Sequence, residues 1–439
     1  IDPALGRLNY ESMTQQALLE MVVSRMSEEN QSIFKDENEN FLDIIEWSGV
    51  VVNDDGNVEE IVWSAMTASK SKLVGQGKIL MEWIPSTVQE LWITDRGFDG
   101  ELECAKLPSS LREVSLTNNR LIGSIALSDL PPVLEYFEAA WNRFSGTLNF
   151  SSIPLRLKHL DLAENILEGT IHLCYKQGSL ETLGLDENRF SGTIRTEDLP
   201  MGLTTLCVER NALSGVFDFE KLPRSMLAVK NAGNMFNGSL SFERVPLRMT
   251  HILLSKNAFS GEICFSHLPS CVQHIDLDKN SLSGPLDLTD LPEQLIILRV
   301  AENSFSGSVN LTMLPQGLNE LSANENRLSG TIDLTRLPET LVVLTLRENS
   351  FSGTLRFDAL PKSLRALCVD HNSFHGDVDL SKLAGSIEQL TLDNNRFDGT
   401  LTMGDRPPHL VLIGIRNNNL RKRIVFAGKD RYAFRCGVK

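Results

Sequence analysis

The sequence has no long apolar run, no excess of basic residues and no Cys-x-x-Cys pair. No stretch of apolar residues is long enough to cross a bilayer as a helix. Lys and Arg number 42 against 57 Asp and Glu, so the net charge is -15. An acidic chain lacks the basic face by which proteins bind nucleic acid or anionic membranes. We therefore expect neither a membrane span nor a nucleic-acid partner.

The cysteines are scattered, and none belongs to a Cys-x-x-Cys pair, so a thiolate zinc site is not expected. Two interpretations stay open. In the first, all are free thiols in a reducing compartment. In the second, Cys264 and Cys271 form a local disulfide that closes one short loop. The cysteines are Cys104, Cys174, Cys207, Cys264, Cys271, Cys368 and Cys436.

Signatures of catalysis are also missing. No Ser, His and Asp stand out as a triad, and the glycines follow a repeat rather than a phosphate-binding loop. His251 and His274 occupy equivalent positions of adjacent repeats, with Asp276 close by, but two surface histidines are more often coincidence than metal ligands. The sequence therefore predicts no enzymatic activity, no cofactor and no metal.

What the sequence does contain is a unit that recurs every 23 residues without insertion or deletion. The copy that begins at Leu337 reads L-P-x-x-L-x-x-L-x-L-x-x-N-x-F-S-G-T-L. A period of about 20–29 residues with this pattern is the signature of leucine-rich repeats. The Asn of the pattern recurs at Asn119, Asn142, Asn165, Asn188, Asn211, Asn234, Asn257, Asn280, Asn303, Asn326, Asn349, Asn372, Asn395 and Asn418.

Each position of the unit has a predicted structural role. Alternation along a short strand directs Leu341, Leu344 and Leu346 inward. The Asn side chains should form a buried ladder of hydrogen bonds to main-chain groups. The segment Thr354–Phe357 alternates again and predicts a second strand on the flank, and Pro361 leaves no room for a return helix.

The predicted fold is a leucine-rich-repeat solenoid with a helical N-terminal cap. It is expected to be a curved right-handed superhelix, with a parallel β-sheet on the concave face and extended or 3₁₀ segments on the convex face. Residues 1–63 would form the cap, as an amphipathic helix at 15–26 followed by a hairpin at 47–63. Residues 64–84 would be an irregular first turn, 85–420 the solenoid and 421–439 a basic C-terminal cap or tail.

With these residues in place, the chain resembles the plant-type leucine-rich-repeat subfamily over about residues 85–420. The F-S-G-T-I/L segment is the specific mark of that subfamily, which includes ectodomains of receptor-like kinases, receptor-like proteins and secreted inhibitors of wall-degrading enzymes. The stretches Trp47–Val52 and Gly56–Val58 also resemble its cap, although Val52 stands where the subfamily has Cys. The strict 23-residue period with Leu-Pro is similar to repeats of unicellular eukaryotes (protists), including kinetoplastid-type proteins.

The missing cap cysteines favour an intracellular compartment, cytoplasmic or organellar, over a secreted or cell-surface location. A secreted chain would offer N-glycosylation sequons. These lie at Asn30, Asn149, Asn237 and Asn310.

The outward strand positions of the first repeats are acidic and partly aromatic. Strands of a sheet lie about 4.8 Å apart, so these side chains would form one strip suited to a basic protein or peptide partner. The alternative is a solvated acidic face of an acidic protein. The predicted partner-binding residues are Trp92, Glu113, Tyr136, Glu138, Trp141, Asp161, Glu164, Asp186, Glu187 and Glu209.

The leading functional hypothesis is therefore a non-enzymatic scaffold for protein–protein interaction. A second hypothesis is a structural subunit that assembles head to tail, since the N-terminal region is acidic and residues 421–439 are basic. The resemblance implies a third, a module that recognises carbohydrate or carbohydrate-active enzymes.

Overall fold

The computed structural model describes residues 10–64, 75–173, 179–421 and 424–426. The chain divides into two compact units, Ile1–Ser214 and Gly215–Lys439. Cys174, Cys436, residues 65–74 of the predicted irregular first turn and most of the predicted basic tail lie outside the described residues.

Unit 1 begins with two short helices, Gln15–Val23 and Glu28–Ser32. The side chains of Thr14 and Ser27 cap them by accepting backbone N–H groups. The first helix ends earlier than the predicted 15–26, because Met26 forms a β-bridge with Gly77 instead of continuing the helix. Short 3₁₀ turns lie at Tyr10–Ser12 and Ile44–Glu46.

The predicted hairpin is present. Strand Val50–Val52 pairs antiparallel with strand Val58–Ser64, and Gly56 has a φ of 80° in the turn between them. Gln15 joins the first helix to this hairpin: its side-chain amide donates to Asn57 and accepts the Val58 N–H. That the segment acts as a cap for the solenoid stays a prediction.

Short parallel ladder strands follow at intervals of one repeat in both units. The register is strict, because each residue pairs with the residue 23 positions further along the chain. In unit 1 they are Glu90–Thr94, Glu113–Ser115, Tyr136–Glu138, His159–Asp161, Thr182–Gly184 and Thr205–Cys207. In unit 2 they are Ala228–Lys230, His251–Leu253, His274–Asp276, Ile297–Arg299, Glu320–Ser322, Val343–Thr345, Ala366–Cys368, Gln389–Thr391 and Leu412–Gly414.

A second set of parallel strands runs along the flank of each unit. Those that begin in unit 1 are Asp99–Glu101, Arg120–Ile122, Ser145–Thr147, Ile166–Thr170, Arg189–Gly192 and Ala212–Val216. Those of unit 2 are Met235–Ser239, Ala258–Gly261, Ser281–Pro285, Ser304–Ser308, Arg327–Gly330, Ser350–Gly353 and Ser373–Phe374, followed by Val378–Leu380, Leu401–Met403 and Ile424–Phe426.

The predicted position of the flank strand was wrong in the copy that begins at Leu337. The strand is Ser350–Gly353, and Thr354–Phe357 is not paired as a strand. Burial does alternate there, with Leu355 and Phe357 buried, so the sequence pattern reflects packing rather than backbone pairing. Across the repeats that the structure describes, the equivalent segment forms strands near the end of unit 2, as at Val378–Leu380.

Short 3₁₀ turns lead the chain back toward the next ladder strand, which confirms the predicted absence of a full return helix in the repeats described. A proline follows two residues after each of these turns and is incompatible with a longer helix. These turns are Met81–Trp83, Cys104–Lys106, Leu127–Asp129, Phe150–Ser152 and Thr196–Asp198 in unit 1, and Phe219–Lys221 and Leu311–Met313 in unit 2.

Each unit has an apolar interior with the predicted Asn ladder along one edge. Leu341, Leu344 and Phe351 are fully buried. Asn165 shows the ladder geometry: its Nδ2 donates to the carbonyls of Ala139, Leu162 and Ala163 at 3.0–3.1 Å, and its Oδ1 accepts the Phe144 N–H at 2.9 Å. The same bonds recur at the other ladder positions, for example Asn372 in unit 2.

The structure agrees with the free-thiol interpretation at the five cysteines that it describes, and not with the alternative of a local disulfide. Cys264 and Cys271 are free thiols, and no disulfide joins them. Their Sγ atoms contact different groups, Cys264 the Ser266 hydroxyl at 3.0 Å and Cys271 the Leu247 carbonyl at 3.3 Å.

The sequon at Asn30 is also unsuited to a glycan. Asn30 is buried, and its amide donates to Gln76 and accepts from Arg96, so a glycan there would break these bonds. Exposed side chains remain at Asn149, Asn237 and Asn310, where glycosylation stays a prediction.

Candidate functional site

The candidate site lies on the ladder face of unit 1, the surface formed by the outward side chains of its ladder strands. In the strand Tyr136–Glu138, Phe137 is fully buried in the interior, whereas Tyr136 and Glu138 are half-buried on this face. The same alternation holds in the strands His159–Asp161 and Glu90–Thr94, whereas in Glu113–Ser115 the small Ser115 is buried. The strict register then places equivalent side chains next to one another.

The structure divides the ten predicted residues into three groups according to where they lie on the repeat. Five lie on the strands themselves: Trp92, Glu113, Tyr136, Glu138 and Asp161. Two follow the ends of strands: Asp186 and Glu209. Three lie where the backbone turns with a positive φ: Trp141, Glu164 and Glu187.

Three rings from the ladder strands of unit 1 form an aromatic stack. The ring of Trp92 stacks on that of Tyr136 with centroids 5.8 Å apart, and Tyr136 stacks on the imidazole of His159 at 4.3 Å with an interplanar angle of 8°. Trp92 and Tyr136 are two strands apart, and the small Ser115 lies on the strand between them. The aromatic stack (Trp92, Tyr136 and His159) is therefore continuous over four adjacent strands.

Glu138 joins this stack to a polar network. Tyr136 donates its hydroxyl hydrogen to Glu138, and the Ser115 hydroxyl lies 3.2 Å from its other carboxylate oxygen. His159 Nε2 lies 3.2 Å from Glu138 Oε1. The neighbouring imidazole lowers the pKa of Glu138, with a further contribution from the Tyr136 hydroxyl. Burial raises the pKa of Tyr136, and its hydrogen bond to Glu138 acts in the same direction.

Asp161 completes a carboxylate–imidazole cluster, which we define as Glu138, His159 and Asp161. Their potential ligand atoms all lie within 4.8 Å of one another. Asp161 accepts the Ala163 N–H at 3.0 Å, and burial raises its pKa. Gly184 follows Asp161 in register on the next strand, and a Cβ there would lie 2.7 Å from Asp161 Oδ1. A glycine at this position therefore leaves room for the carboxylate.

An acidic column borders the aromatic stack and consists of Glu60, Glu90 and Glu113. Strand pairing places Glu60 next to Glu90, and Glu90 next to Glu113. Burial raises the pKa of Glu90, and the two flanking carboxylates add to this effect. Like charges directly opposite one another on a sheet are destabilising. No cationic side chain neutralises this column among the contacts of the described residues.

The three predicted residues with positive φ lie where the backbone turns, beyond the ladder strands. Trp141 is 57% exposed and has a φ of 57°. A bulky residue in this left-handed region is a strained outlier. Burial, together with a hydrogen bond to Glu187, raises the pKa of Glu164 to about 7. Glu187 also forms an ion pair with Arg210 on the following turn.

Of the two predicted residues that follow the ends of strands, Asp186 is less suited to binding. Asp186 accepts the backbone N–H of Glu209 at 2.6 Å, so its carboxylate is already used within the fold. Changing Asp186 would therefore perturb the backbone as well as the surface charge.

Sequence reasoning missed several members of the site. Alternation placed His159 on this face, but nothing in the sequence shows that its ring stacks on Tyr136 or approaches Glu138. Glu60 was not selected because it lies in the hairpin, outside the 23-residue register. Arg210, which pairs with Glu187, was overlooked, although it occupies the same position of the next repeat.

The equivalent face of unit 2 is more evenly charged. Arg299 donates to Glu320 through Nε and a terminal nitrogen at 2.7 and 2.9 Å. Lys279 pairs with Glu302 at 2.7 Å. Because opposite charges alternate here, this face offers no counterpart to the acidic column of unit 1 among its described residues.

The parallel ladder strands, the Asn ladder and the second strand on the flank together define the plant-type leucine-rich-repeat fold. Solved structures of this class are similar to the chain. The ectodomain of the Arabidopsis receptor kinase HAESA, solved with an IDA peptide hormone ligand, matches with a TM-score of 0.57 and 26% identity over 72% of this chain. The similarity to unicellular-eukaryote repeats stays a prediction.

Two further structures support the same fold. A TDR receptor matches with a TM-score of 0.62 and 22% identity over 77% of this chain. YopM from Yersinia enterocolitica matches with a TM-score of 0.58 and 24% identity over 79% of this chain and 70% of its own. The chain spans 55% of the HAESA ectodomain and 64% of the TDR receptor. Neither a family model nor a curated protein matches it.

In the described part of the chain, no helix has both the length and the apolar character needed to span a membrane.

Proposed function

We propose that the chain is a non-enzymatic scaffold that binds a basic peptide segment of a protein partner on the ladder face of unit 1. The observation that carries this proposal is the acidic column lying beside the aromatic stack. A Lys- or Arg-rich segment would neutralise carboxylates that otherwise repel one another.

The aromatic stack supplies the anchor that charge alone lacks. Aromatic side chains at the centre of an interface contribute much of the binding energy, because they bury a large area with little loss of conformational freedom. Trp92 and Tyr136 are held in place by stacking. An aromatic ring attracts a guanidinium group placed over a face that no other ring covers. An extended basic peptide that includes Arg therefore fits this face better than a neutral one.

The similar solved structures support the binding class but not the partner. The HAESA ectodomain was solved with a peptide hormone ligand, and that property belongs to HAESA. A repeat scaffold exposes a continuous row of variable side chains, and such a row is suited to binding an extended peptide.

The test is a titration of a fluorescent Arg- and Lys-rich peptide into the full chain. The variant Glu60→Gln/Glu90→Gln/Glu113→Gln is expected to bind about tenfold or more weakly, because three carboxylates no longer attract the peptide. Trp92→Ala is expected to lose a similar factor through the missing stacking surface. Added salt should weaken binding to the wild type more than binding to the triple variant.

A matched control removes the same charge elsewhere. Asp290, Glu293 and Glu339 are exposed residues of unit 2 outside its ladder strands, so Asp290→Asn/Glu293→Gln/Glu339→Gln should bind nearly as the wild type does. If both triple variants lose the same affinity, the peptide responds only to net charge and the proposed site is wrong. Unchanged affinity in the acidic-column variant would contradict it equally.

A further inference from the structure

The carboxylate–imidazole cluster has the composition of a metal site. It offers one imidazole nitrogen and two carboxylate groups, with the potential ligand atoms within 4.8 Å of one another. Zinc and similar ions bind these groups at about 2.0–2.2 Å, usually with three protein ligands where a further position is left open. Ligands of a tetrahedral ion lie roughly 3.4 Å apart. Binding an ion would therefore bring the three side chains closer to one another by about an ångström, which small side-chain rotations can provide.

The imidazole nitrogen of His159 lacks a well-formed hydrogen bond. His159 Nε2 is shielded from solvent, and although Glu138 Oε1 is 3.2 Å away, the contact does not have the geometry of a hydrogen bond within the described residues. A shielded polar atom without a partner is unfavourable. A cation between Nε2 and the two carboxylates would satisfy it and offset the repulsion between Glu138 and Asp161.

The surroundings hold the ligands while leaving the site accessible. Stacking on Tyr136 fixes the imidazole plane, and the Tyr136 hydroxyl orients Glu138. The Ala163 N–H holds one oxygen of Asp161 at 3.0 Å, and Gly184 places no side chain over that carboxylate. The side chains of Glu138 and His159 each keep 24% of their surface exposed, so the cluster lies close to solvent although Nε2 itself is shielded.

We infer that Glu138, His159 and Asp161 form a binding site for a divalent transition-metal ion of the Zn²⁺ class. The imidazole favours such an ion over Ca²⁺ or Mg²⁺, which take oxygen ligands almost exclusively. The site is independent of any peptide partner, since it needs only side chains of unit 1.

The test is calorimetric titration of Zn²⁺ into the full chain after its accessible thiols have been alkylated, with Mg²⁺ as the comparison ion. One Zn²⁺ is expected to bind per chain, and binding should weaken about tenfold or more in His159→Ala and in Asp161→Asn, since even supporting contacts change metal affinity by about this factor. Asp161→Asn keeps the shape of the side chain, so it remains informative if His159→Ala folds poorly. Co²⁺ should give visible bands of a nitrogen and oxygen site without thiolate absorption.

The control is His371→Ala, which removes an imidazole that also contacts a carboxylate, Asp370 at 2.9 Å, but has no third potential ligand among the described residues. Its affinity for Zn²⁺ should match that of the wild type. Equal weakening in His371→Ala, or weakening in His274→Ala instead of His159→Ala, would overturn the assignment. Equal affinity for Mg²⁺ and Zn²⁺ would also overturn it, because it would indicate nonspecific binding to carboxylates. These readouts use the metal alone, so they do not depend on peptide binding.

Discussion

Asn231 interrupts the apolar interior of unit 2. It occupies the inward position that Leu254 and Leu277 fill in the next two repeats, and it is fully buried. Neither its Oδ1 nor its Nδ2 has a hydrogen-bond partner among the described residues. A buried amide without hydrogen-bond partners loses its hydration, and no other interaction compensates for that loss. This side chain is therefore a local source of instability.

We expect Asn231→Leu to stabilise the chain by about 1–3 kcal/mol, because it removes an unsatisfied amide and restores the side chain of the neighbouring repeats. Urea unfolding followed by circular dichroism measures the change. The control is Asn280→Leu at a ladder position, where the amide donates to Leu254, Leu277 and Asp278 carbonyls. That variant should be destabilised, and stabilisation of both variants would contradict the distinction drawn between the two kinds of Asn.

At the scale of single elements, the flank strands depend on their glycines. Gly353 ends the strand Ser350–Gly353 with a φ of 89°, and a Cβ there would lie 2.8 Å from Cγ2 of Thr331. Gly307 has a similar φ of 81° but would place its Cβ in open space. The pair separates two effects, backbone strain at both positions and steric crowding at one.

We expect Gly307→Ala to destabilise the chain by about 1 kcal/mol through backbone strain alone. Gly353→Ala should cost about 1–2 kcal/mol more, because the new methyl group displaces the Thr331 side chain or distorts the strand. Parallel urea titrations of the two variants provide the comparison. If the two variants were destabilised equally, the Thr331 side chain would have to move aside without strain, contrary to this expectation.

The ladder and flank elements differ in how far the sequence predicts them. Hydrophobic alternation locates the ladder strands, since inward Leu344 and outward Val343 have opposite requirements. It misplaces the flank strand, because Leu355 and Phe357 alternate in burial without pairing. Burial depends on the side chains, so the sequence pattern predicts it. Strand pairing also depends on where the neighbouring backbone lies, which the pattern does not contain.

At the scale of the whole molecule, the excess of acidic residues makes stability dependent on pH. The net charge is -15. Several carboxyl groups, such as Glu90, Asp161 and Asp278, are partly buried near other carboxylates. Asp278 is the clearest case in unit 2: burial, with a smaller effect of Asp276, raises its pKa to about 7. Its carboxylate accepts the Ala301 N–H at 2.6 Å.

The sign of the effect follows from the direction of the pKa shift. In the unfolded chain Asp278 ionises near its ordinary pKa of 3.8, whereas the folded chain holds the proton up to about pH 7. Its contribution to folding is therefore full below about pH 4 and is lost as the pH rises to 7.

The difference in unfolding free energy between the wild type and Asp278→Asn should fall by on the order of 1–3 kcal/mol from pH 4 to 7. Asn keeps an acceptor for the Ala301 N–H but does not titrate, so the comparison isolates this group. Urea unfolding across that range measures it. A constant difference would show that Asp278 ionises as it does in water.

The sequence by itself determined the repeating architecture. Leu, Asn and Gly must recur every 23 residues because each repeat meets the same geometry, so the pattern records packing that every copy shares. It also determined which side chains are outward on the ladder face, and hence that Tyr136, Glu138 and Asp161 share one surface.

Only the tertiary structure decided what those side chains do together. The contact of His159 with Glu138, the space beside Asp161 left by Gly184, and the column joining Glu60 to Glu90 all link different turns or lie outside the repeat. The repeat pattern specifies the positions that are alike in every turn. A site is built from the positions that differ, and their distances and rotamers are set by neighbours brought together only when the chain folds.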